Sequence, residues 1–407
     1  MAKPGVERKI CLKSIFADLH IHIGRTESNL PVKITAARNM TFEQIVRESY
    51  HRKGIEMIGV IDAASPPVQG EIRRGLRSGL YKEHPGGGIV YRETTCILGA
   101  EIEIREPGMG AAHVLTYFPT LNQISRFTEW LSKHMKNVQL STQRLYQPAG
   151  ALQEKVAEYD GIIIPAHVFT PFKSVYGSAT DRMSYLFDLK RLAGVELGMS
   201  SDSHLADHLS ELKSLSFVTN SDAHSIPKIG REYNELWVKE ASFQELKWAL
   251  LRQKGRKVAA NYGLNPRLGK YYRTRCLNCD ELWPLDAEIS RCPECGSKKR
   301  VKGVRDRIMD IADQEMHHPD HRPPYVYQVP LEFIPKLGKK TLDKLLDAFG
   351  TEMSVLHHAP ISEIAEVSNQ VIARHIKLAR EQRLELEEGG GGVYGRVKQT
   401  QCHVNKE

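Results

Sequence analysis

Two short units of metal-binding residue types lie about two hundred residues apart, Asp18-Leu19-His20-Ile21-His22 and Ser221-Asp222-Ala223-His224. Each sets two ligating side chains at i and i+2, a spacing that points both to one face of a β-strand. The units follow apolar strand-like runs, Ile15-Phe16-Ala17 and Leu215-Ser216-Phe217-Val218. An early strand and a much later one therefore aim His and Asp at a shared place. Asp62, Glu101, His113 and His167 each stand at the end of another apolar run or within two residues of it. Taken singly, any of these is an ordinary buried or surface polar residue; as a set they predict a multi-metal centre. Imidazoles and carboxylates without thiolate suit zinc, manganese or iron. Two such ions a few ångströms apart acidify a water and hold both the attacking and the departing oxygen of a phosphodiester. His20, His22, Glu101, His167 and Asp222 are the candidate catalytic residues. Glu196 and Asp202 also follow a strand and fit supporting roles better than ligation.

These side chains need a frame. From about residue 10 to 262, short apolar runs such as Met57-Ile58-Gly59-Val60-Ile61, Cys96-Ile97-Leu98-Gly99-Ala100 and Ile162-Ile163-Ile164 alternate with amphipathic helical stretches. Capping boxes at Thr41…Gln44, Thr120…Gln123 and Ser242…Glu245 mark helix starts. That alternation predicts an α/β fold with a largely parallel sheet, barrel or doubly wound. In either, ligands gather beyond the C-terminal strand ends, where Asp62, Glu101 and His167 fall.

The 407 residues are 41% hydrophobic and 26% charged, which suits a globular chain of two or three domains. No apolar run reaches membrane-spanning length and the start has no signal-type core, so a soluble, cytoplasmic, nucleoid-associated protein is expected. Of the net charge of +8, residues 251–300 carry a surplus of seven, 12 Lys/Arg against 5 Asp/Glu. So localised a basic stretch suggests a polyanionic partner.

Seven cysteines, an odd count with four in one cluster, do not read as a disulfide framework. Cys276-Leu277-Asn278-Cys279 and Cys292-Pro293-Glu294-Cys295, twelve residues apart, predict a four-thiolate structural zinc site. Arg273 and Arg275 flank it and are candidate DNA contacts. Further on, Pro335-Lys336-Leu337-Gly338-Lys339-Lys340 opens a helical region and resembles a helix-hairpin-helix motif. There Gly338, Lys339 and Lys340 would meet a phosphate at a helix N-terminus. Ser368-Asn369-Gln370 suggests a degenerate second copy. The expected division is a barrel over 1–265, a zinc ribbon over 266–302, a connector over 303–330, a helical DNA-binding unit over 331–388 and a flexible tail over 389–407.

The order and spacing of Asp18-Leu19-His20-Ile21-His22, Gly99-Ala100-Glu101, His113-Val114-Leu115, Pro165-Ala166-His167 and Ser221-Asp222-Ala223-His224 resemble the PHP (polymerase and histidinol phosphatase) metallophosphoesterases. That resemblance implies a distorted (β/α)7 barrel with His20, His22, Asp62, Glu101, His113, His167, Asp222 and His224 as ligands of two or three divalent ions, zinc or manganese with magnesium in support. It implies that Glu101 bridges two of them. Where the family often has Thr-Asp-His after its second strand, this chain has Ile61-Asp62-Ala63, and Ala63 cannot ligate. Barrel, ribbon and helical unit in this order are similar to the endonuclease Q family of DNA-repair nucleases. The similarity implies cleavage of double-stranded DNA 5′ to deaminated bases (hypoxanthine, uracil, xanthine) or abasic sites, with a sliding clamp or other repair protein as a further partner. Two other readings share these residues: a histidinol-phosphatase-type phosphomonoesterase, and a catalytically inactive zinc-containing DNA-binding protein.

Overall fold

The computed structural model describes residues 11–284, 289–389 and 393–397. Strands β1 (Lys13–Ile21), β2 (Met57–Val60), β3 (Thr94–Ile104), β4 (Ala112–Phe118), β5 (Ile162–Pro165), β6 (Gly194–Glu196) and β7 (Ser216–Val218) follow one another around a distorted barrel. β1, β2 and β3 are parallel, as are β6 and β7. The Ala193 N–H reaches the Ile163 carbonyl at 3.0 Å and links β5 to β6. A parallel bridge between Ile21 and Ala223 returns the ring to β1.

The expectation of a largely parallel sheet needs one correction. β4 runs antiparallel to both neighbours. Only residues 105–111 join β3 to β4, too short a span for a crossover helix, so the chain turns back as a hairpin. Most barrel strands are buried along their whole length, β3 in all but one residue, which is why they read as apolar runs rather than alternating ones. All three expected caps form: Thr41, Thr120 and Ser242 accept the backbone N–H of Gln44, Gln123 and Glu245.

Beyond β1 the sheet continues through antiparallel β8 (Tyr233–Val238) and β9 (Lys257–Gly263), then parallel β10 (Tyr325–Tyr327). β10 belongs to the stretch expected as a connector, which also contains a helix, Val304–Ile311. Pro323 and Pro324 precede the strand rather than interrupt it, and the Asn261 N–H uses the Pro324 carbonyl at 3.0 Å to start the pairing. The C-terminal helices Lys339–Phe349, Glu352–His357, Ile361–Val367 and Gln370–Arg380 pack on the barrel flank. Arg52–Asp343 and Lys53–Glu352, both 2.9 Å, and Lys228–Glu332 at 2.6 Å cross that junction. His357 stacks on Phe16 at 4.5 Å and meets the Tyr233 hydroxyl at 2.7 Å.

The flexible-tail expectation is also corrected in part. Residues Arg396–Val397 pair with Leu386–Glu387, and the N–H groups of Gly389 and Gly395 bond to the carbonyls of Arg267 and Leu268 at 2.7 and 3.0 Å. Residues 390–392 and 398–407 lie outside the described residues.

Candidate metal centre

Asp222, Ala223 and His224 reach the first strand because the two motifs lie beside each other as rungs of one ladder. The His22 N–H donates to the Ala223 carbonyl at 3.0 Å, and the Ala223 N–H donates to the His20 carbonyl at 3.1 Å. Asp18 secures this from below, accepting the N–H of Ser221 at 3.0 Å and of Gly230 at 2.9 Å. His20, His22 and Glu101 form one group with ligand atoms within 4.8 Å of one another; His22, Asp222 and His224 form a second, and Glu101, His113 and His167 a third.

Glu101 stands between them. Its Oε1 is 2.9 Å from His113 Nδ1, 3.5 Å from His167 Nε2 and 3.7 Å from His20 Nε2. Its Oε2 lies 3.6 Å from His22 Nε2 and 2.9 Å from Lys33 Nζ. Asp222 Oδ1 sits 3.4 Å from His20 Nε2 and 3.5 Å from His22 Nε2. Asp222 and His167 are held at φ +46° and +31°, which costs a side-chain-bearing residue about 1–3 kcal/mol each and is typical of functional sites.

Behind the ring of candidate ligands stand two more carboxylates. Glu196 meets His20 Nδ1 at 3.0 and 3.1 Å while accepting the Asn220 side chain and the His167 N–H. The His20 ring is thereby turned so that Nε2 faces the centre. Asp62 does the same for His22, 3.1 Å from its Nδ1. Asp62 therefore departs from its expected place as a ligand: its oxygens are taken by His22, by the Ile23 N–H at 2.7 Å and by the Ser141 hydroxyl, and it belongs to none of the three groups. Ala63 beside it is packed into the apolar core.

The electrostatics are those of a site short of positive charge. Burial opposes a charged imidazole, yet the Glu196, Asp222 and Glu101 carboxylates override it and lift His20 to about 10. Burial likewise opposes the charged carboxylates, but His113 and Lys33 hold Glu101, and His20 and His22 hold Asp222, well below the usual range. Among the described residues His20 Nε2 is buried without a hydrogen-bond partner and aimed at these acids. An unsatisfied inward nitrogen, converging carboxylates and supported imidazoles fit divalent cations.

In the ribbon, the Cys276–Cys295 and Cys279–Cys292 sulfurs are 3.6 and 3.5 Å apart. Sulfurs about 2.3 Å from one tetrahedral ion would be separated by about 3.8 Å, so the four fit a metal. The Ser297 backbone N–H lowers the Cys295 thiol to about 6. Arg273 and Arg275 brace the ribbon itself: Arg273 donates to the Trp283 carbonyl at 2.5 Å, and Arg275 lies 3.3 Å from Asp280. Lys339 and Lys340 are exposed at the start of their helix, and a side chain on Gly338 would meet nothing within 4 Å, so the space before that helix is open.

The centre lines a cleft of about 860 Å³ whose wall includes Lys33, Phe172, Arg231, Lys270, Tyr271 and Tyr394. Of the aromatic residues near His167, Phe169 and Tyr176 are core side chains, whereas Phe172 is 53% exposed and meets Tyr271 edge-on at 5.8 Å. No helix among the described residues is long and apolar enough to cross a membrane.

A family profile described as the MJ0043 C-terminal domain matches residues 338–383. YqxK of Bacillus subtilis (strain 168), described as uncharacterized, is 49% identical over 390 residues, 95% of this chain and 100% of that protein. The crystal structure of the lesion-specific endonuclease PfuEndoQ from Pyrococcus furiosus superposes with a TM-score of 0.84 at 32% identity, covering 97% of this chain and 98% of the other. That of endonuclease Q with a 27-mer duplex substrate carrying an abasic lesion at the active site gives 0.83 at 32% identity, covering 96% and 97%. The chain belongs to the endonuclease Q family.

As an endonuclease Q family chain, it has cleft residues that its sequence did not announce. Lys33 lies in a loop without periodicity, Arg231 and Lys270 follow no motif, and Tyr394 sits past a run of glycines. Position along the chain carries no signal for them; only the folded loops bring them to the metal groups.

Proposed function

We propose that this chain is a metal-dependent DNA-repair endonuclease that hydrolyses the phosphodiester on the 5′ side of deaminated bases (hypoxanthine, uracil, xanthine) and of abasic sites. The observation that carries the reading is the convergence of seven imidazole and carboxylate groups in one cleft. That cleft lies in a chain matching, over nearly its full length, a lesion-specific endonuclease and an endonuclease Q solved with an abasic duplex. His20, His22, Glu101, His113, His167, Asp222 and His224 are the proposed ligands of two or three ions, zinc or manganese with magnesium in support, and the four cysteines of a structural zinc.

Bound divalent ions would supply acidity to water and positive charge to the departing oxygen. The remaining work falls to side chains. Glu101 belongs to two of the groups and faces His22 of the third. Glu196 and Asp62 fix the ring orientation of His20 and His22, so no energy is spent reorienting ligands during reaction. Lys33, 2.9 Å from Glu101, offsets part of the acid charge before a polyanion enters. Phe172 and Tyr271 offer a stacking face to an extruded base, which must leave the helix to be read. Lys339 and Lys340 grip the duplex backbone without reading sequence. A sliding clamp remains a partner suggested by family resemblance alone.

The test is a nicking assay on duplexes carrying deoxyinosine, deoxyuridine, an abasic site or no lesion, with and without chelator. Chelator-sensitive cuts 5′ to each lesion and an intact control are expected. Equal cutting of undamaged duplex, or hydrolysis of small phosphomonoesters alone, would overturn the assignment.

A further inference from the structure

The cleft holds two cations that nothing in the proposed chemistry uses. Arg231 donates from Nε to the Ser221 carbonyl at 2.8 Å and from Nη1 to the Tyr394 hydroxyl at 3.0 Å, and no carboxylate pairs with it among the described residues. Lys270 likewise has no carboxylate partner there; its ammonium lies 4.6 Å from the centre of the Tyr394 ring, with the Arg231 guanidinium carbon 5.7 Å from the same centre. Burial and then the neighbouring Arg231 and Lys228 press the Lys270 ammonium to lose its proton, and Asp222 opposes them only in part. The acid next in sequence offers no relief. Glu232 is fully buried, and burial pushes its carboxyl up to about 8, so it carries a proton at neutral pH.

Two like charges crowded on one wall of a metal-bearing cleft are costly unless an anion is meant to join them. Tyr394 is what keeps them together. Its ring face attracts both cations and its hydroxyl fixes the guanidinium, reaching Met199 Sδ at 3.4 Å on its other side. It arrives from a C-terminal segment that the chain takes care to hold. Glu388 binds Arg267 at 2.8 Å. A Cβ on Gly389 would come within 2.8 Å of the Leu268 carbonyl oxygen, and one on Gly395 within 2.2 Å of the Glu387 carbonyl oxygen, so only glycine lets the backbone lie this close.

We infer that the C-terminal segment completes the active site: Tyr394 positions Arg231 and Lys270 as a paired site for a backbone phosphate of the cut strand adjacent to the one hydrolysed. The inference rests on the nuclease reading above and adds to it a second phosphate subsite and a positioning residue from the end of the chain.

The experiment uses the full chain and a duplex with one deoxyuridine. Neutral methylphosphonates replace single phosphodiesters, one at a time, from two positions 5′ to two positions 3′ of the cut, leaving the cut linkage itself intact. KM for nicking, and Kd by anisotropy in chelator, are measured for wild type, Tyr394→Phe and Tyr394→Ala. At one position neutralisation should weaken wild type by about 10-fold, the worth of one charge-assisted contact. Tyr394→Ala should weaken the unmodified duplex by a similar factor yet add less than about twofold on the duplex neutralised at that position. Tyr394→Phe, which keeps the ring, should fall between. Penalties that multiply at every position, or a Tyr394→Ala variant with unchanged KM and Kd, would overturn the inference. Coupled binding without any nicking would break the nuclease reading alone, and nicking with independent penalties would break this inference alone.

Discussion

The barrel centre gathers metal-binding side chains from several strands and the cysteine ribbon from two short paired units, and they are built by opposite means. At the centre every proposed ligand but His167, Asp222 and His224 is buried, and the rings are turned by carboxylates that are themselves buried. Strands packed on both faces hold the frame, with each buried Ile or Leu contributing about 1.5–3 kcal/mol. In the ribbon, Cys279 and Cys295 are exposed, and the local core is Cys276, Trp283 and Cys292. So small a cluster cannot offset the entropy of ordering its loops. One site is a frame that waits for ions; in the other the ion is the frame.

That contrast can be broken most sharply at His22. His22→Ala should lower nicking by on the order of 10³-fold while changing duplex Kd only a few-fold and leaving the far-UV spectrum intact, since the lost metal contact is worth several kcal/mol in the transition state. Normal nicking by this variant would remove the assigned centre. Next comes the support behind the ligands: Glu196→Gln should cost about 10–100-fold in metal affinity or rate, because it frees the His20 ring without removing a ligand. In the ribbon, Cys276→Ser should leave the barrel's melting transition in place but abolish amide protection over 274–284 and 289–301 and weaken duplex binding by about 10-fold. Loss of the barrel transition as well would show that the two regions are not independent.

Smaller effects sharpen the picture. Replacing Lys339 and Lys340 by Ala should reduce the slope of log Kd against log salt by about 2, roughly 0.9 for each lost phosphate contact, with the lesion preference unchanged. Glu232 provides a pH test. Its folded pKa, about 8, is raised above the ordinary 4.5, so the folded state binds the proton more tightly. Its contribution is fully present below 4.5 and is lost as pH rises through 8. Urea unfolding should show stability falling across that window and Glu232→Gln flattening the fall, with a gain on the order of a few kcal/mol at pH 8.

Much of the centre was legible because its residues obey local periodicity. His20 with His22 and Asp222 with His224 declare their shared faces at i and i+2, and the apolar run before His167 places it just past a strand end, whereas Glu101 lies within β3, three residues before its end. What failed to show is what depends on distant loops. Asp62 has the right type and position for a ligand, and only its packing against His22, Ile23 and Ser141 sends it one layer back. Gly389 and Gly395 read as flexibility, although their missing side chains are what allow the tail to dock. Pro323 and Pro324 fall in the stretch expected as a connector, yet they open an edge strand. Arg273 and Arg275 read as DNA contacts from charge alone, and the fold adds partners the charge did not announce, the Trp283 carbonyl and Glu388 for Arg273 and Asp280 for Arg275.

The most direct test of the two-site account is a metal count on nicking-competent protein, taken together with the same count on His22→Ala and Cys276→Ser. The account predicts three or four ions per wild-type chain, a loss confined to the barrel ions in the first variant, and a loss of the single ribbon ion in the second. One ion per active chain, absent only in Cys276→Ser, would contradict it.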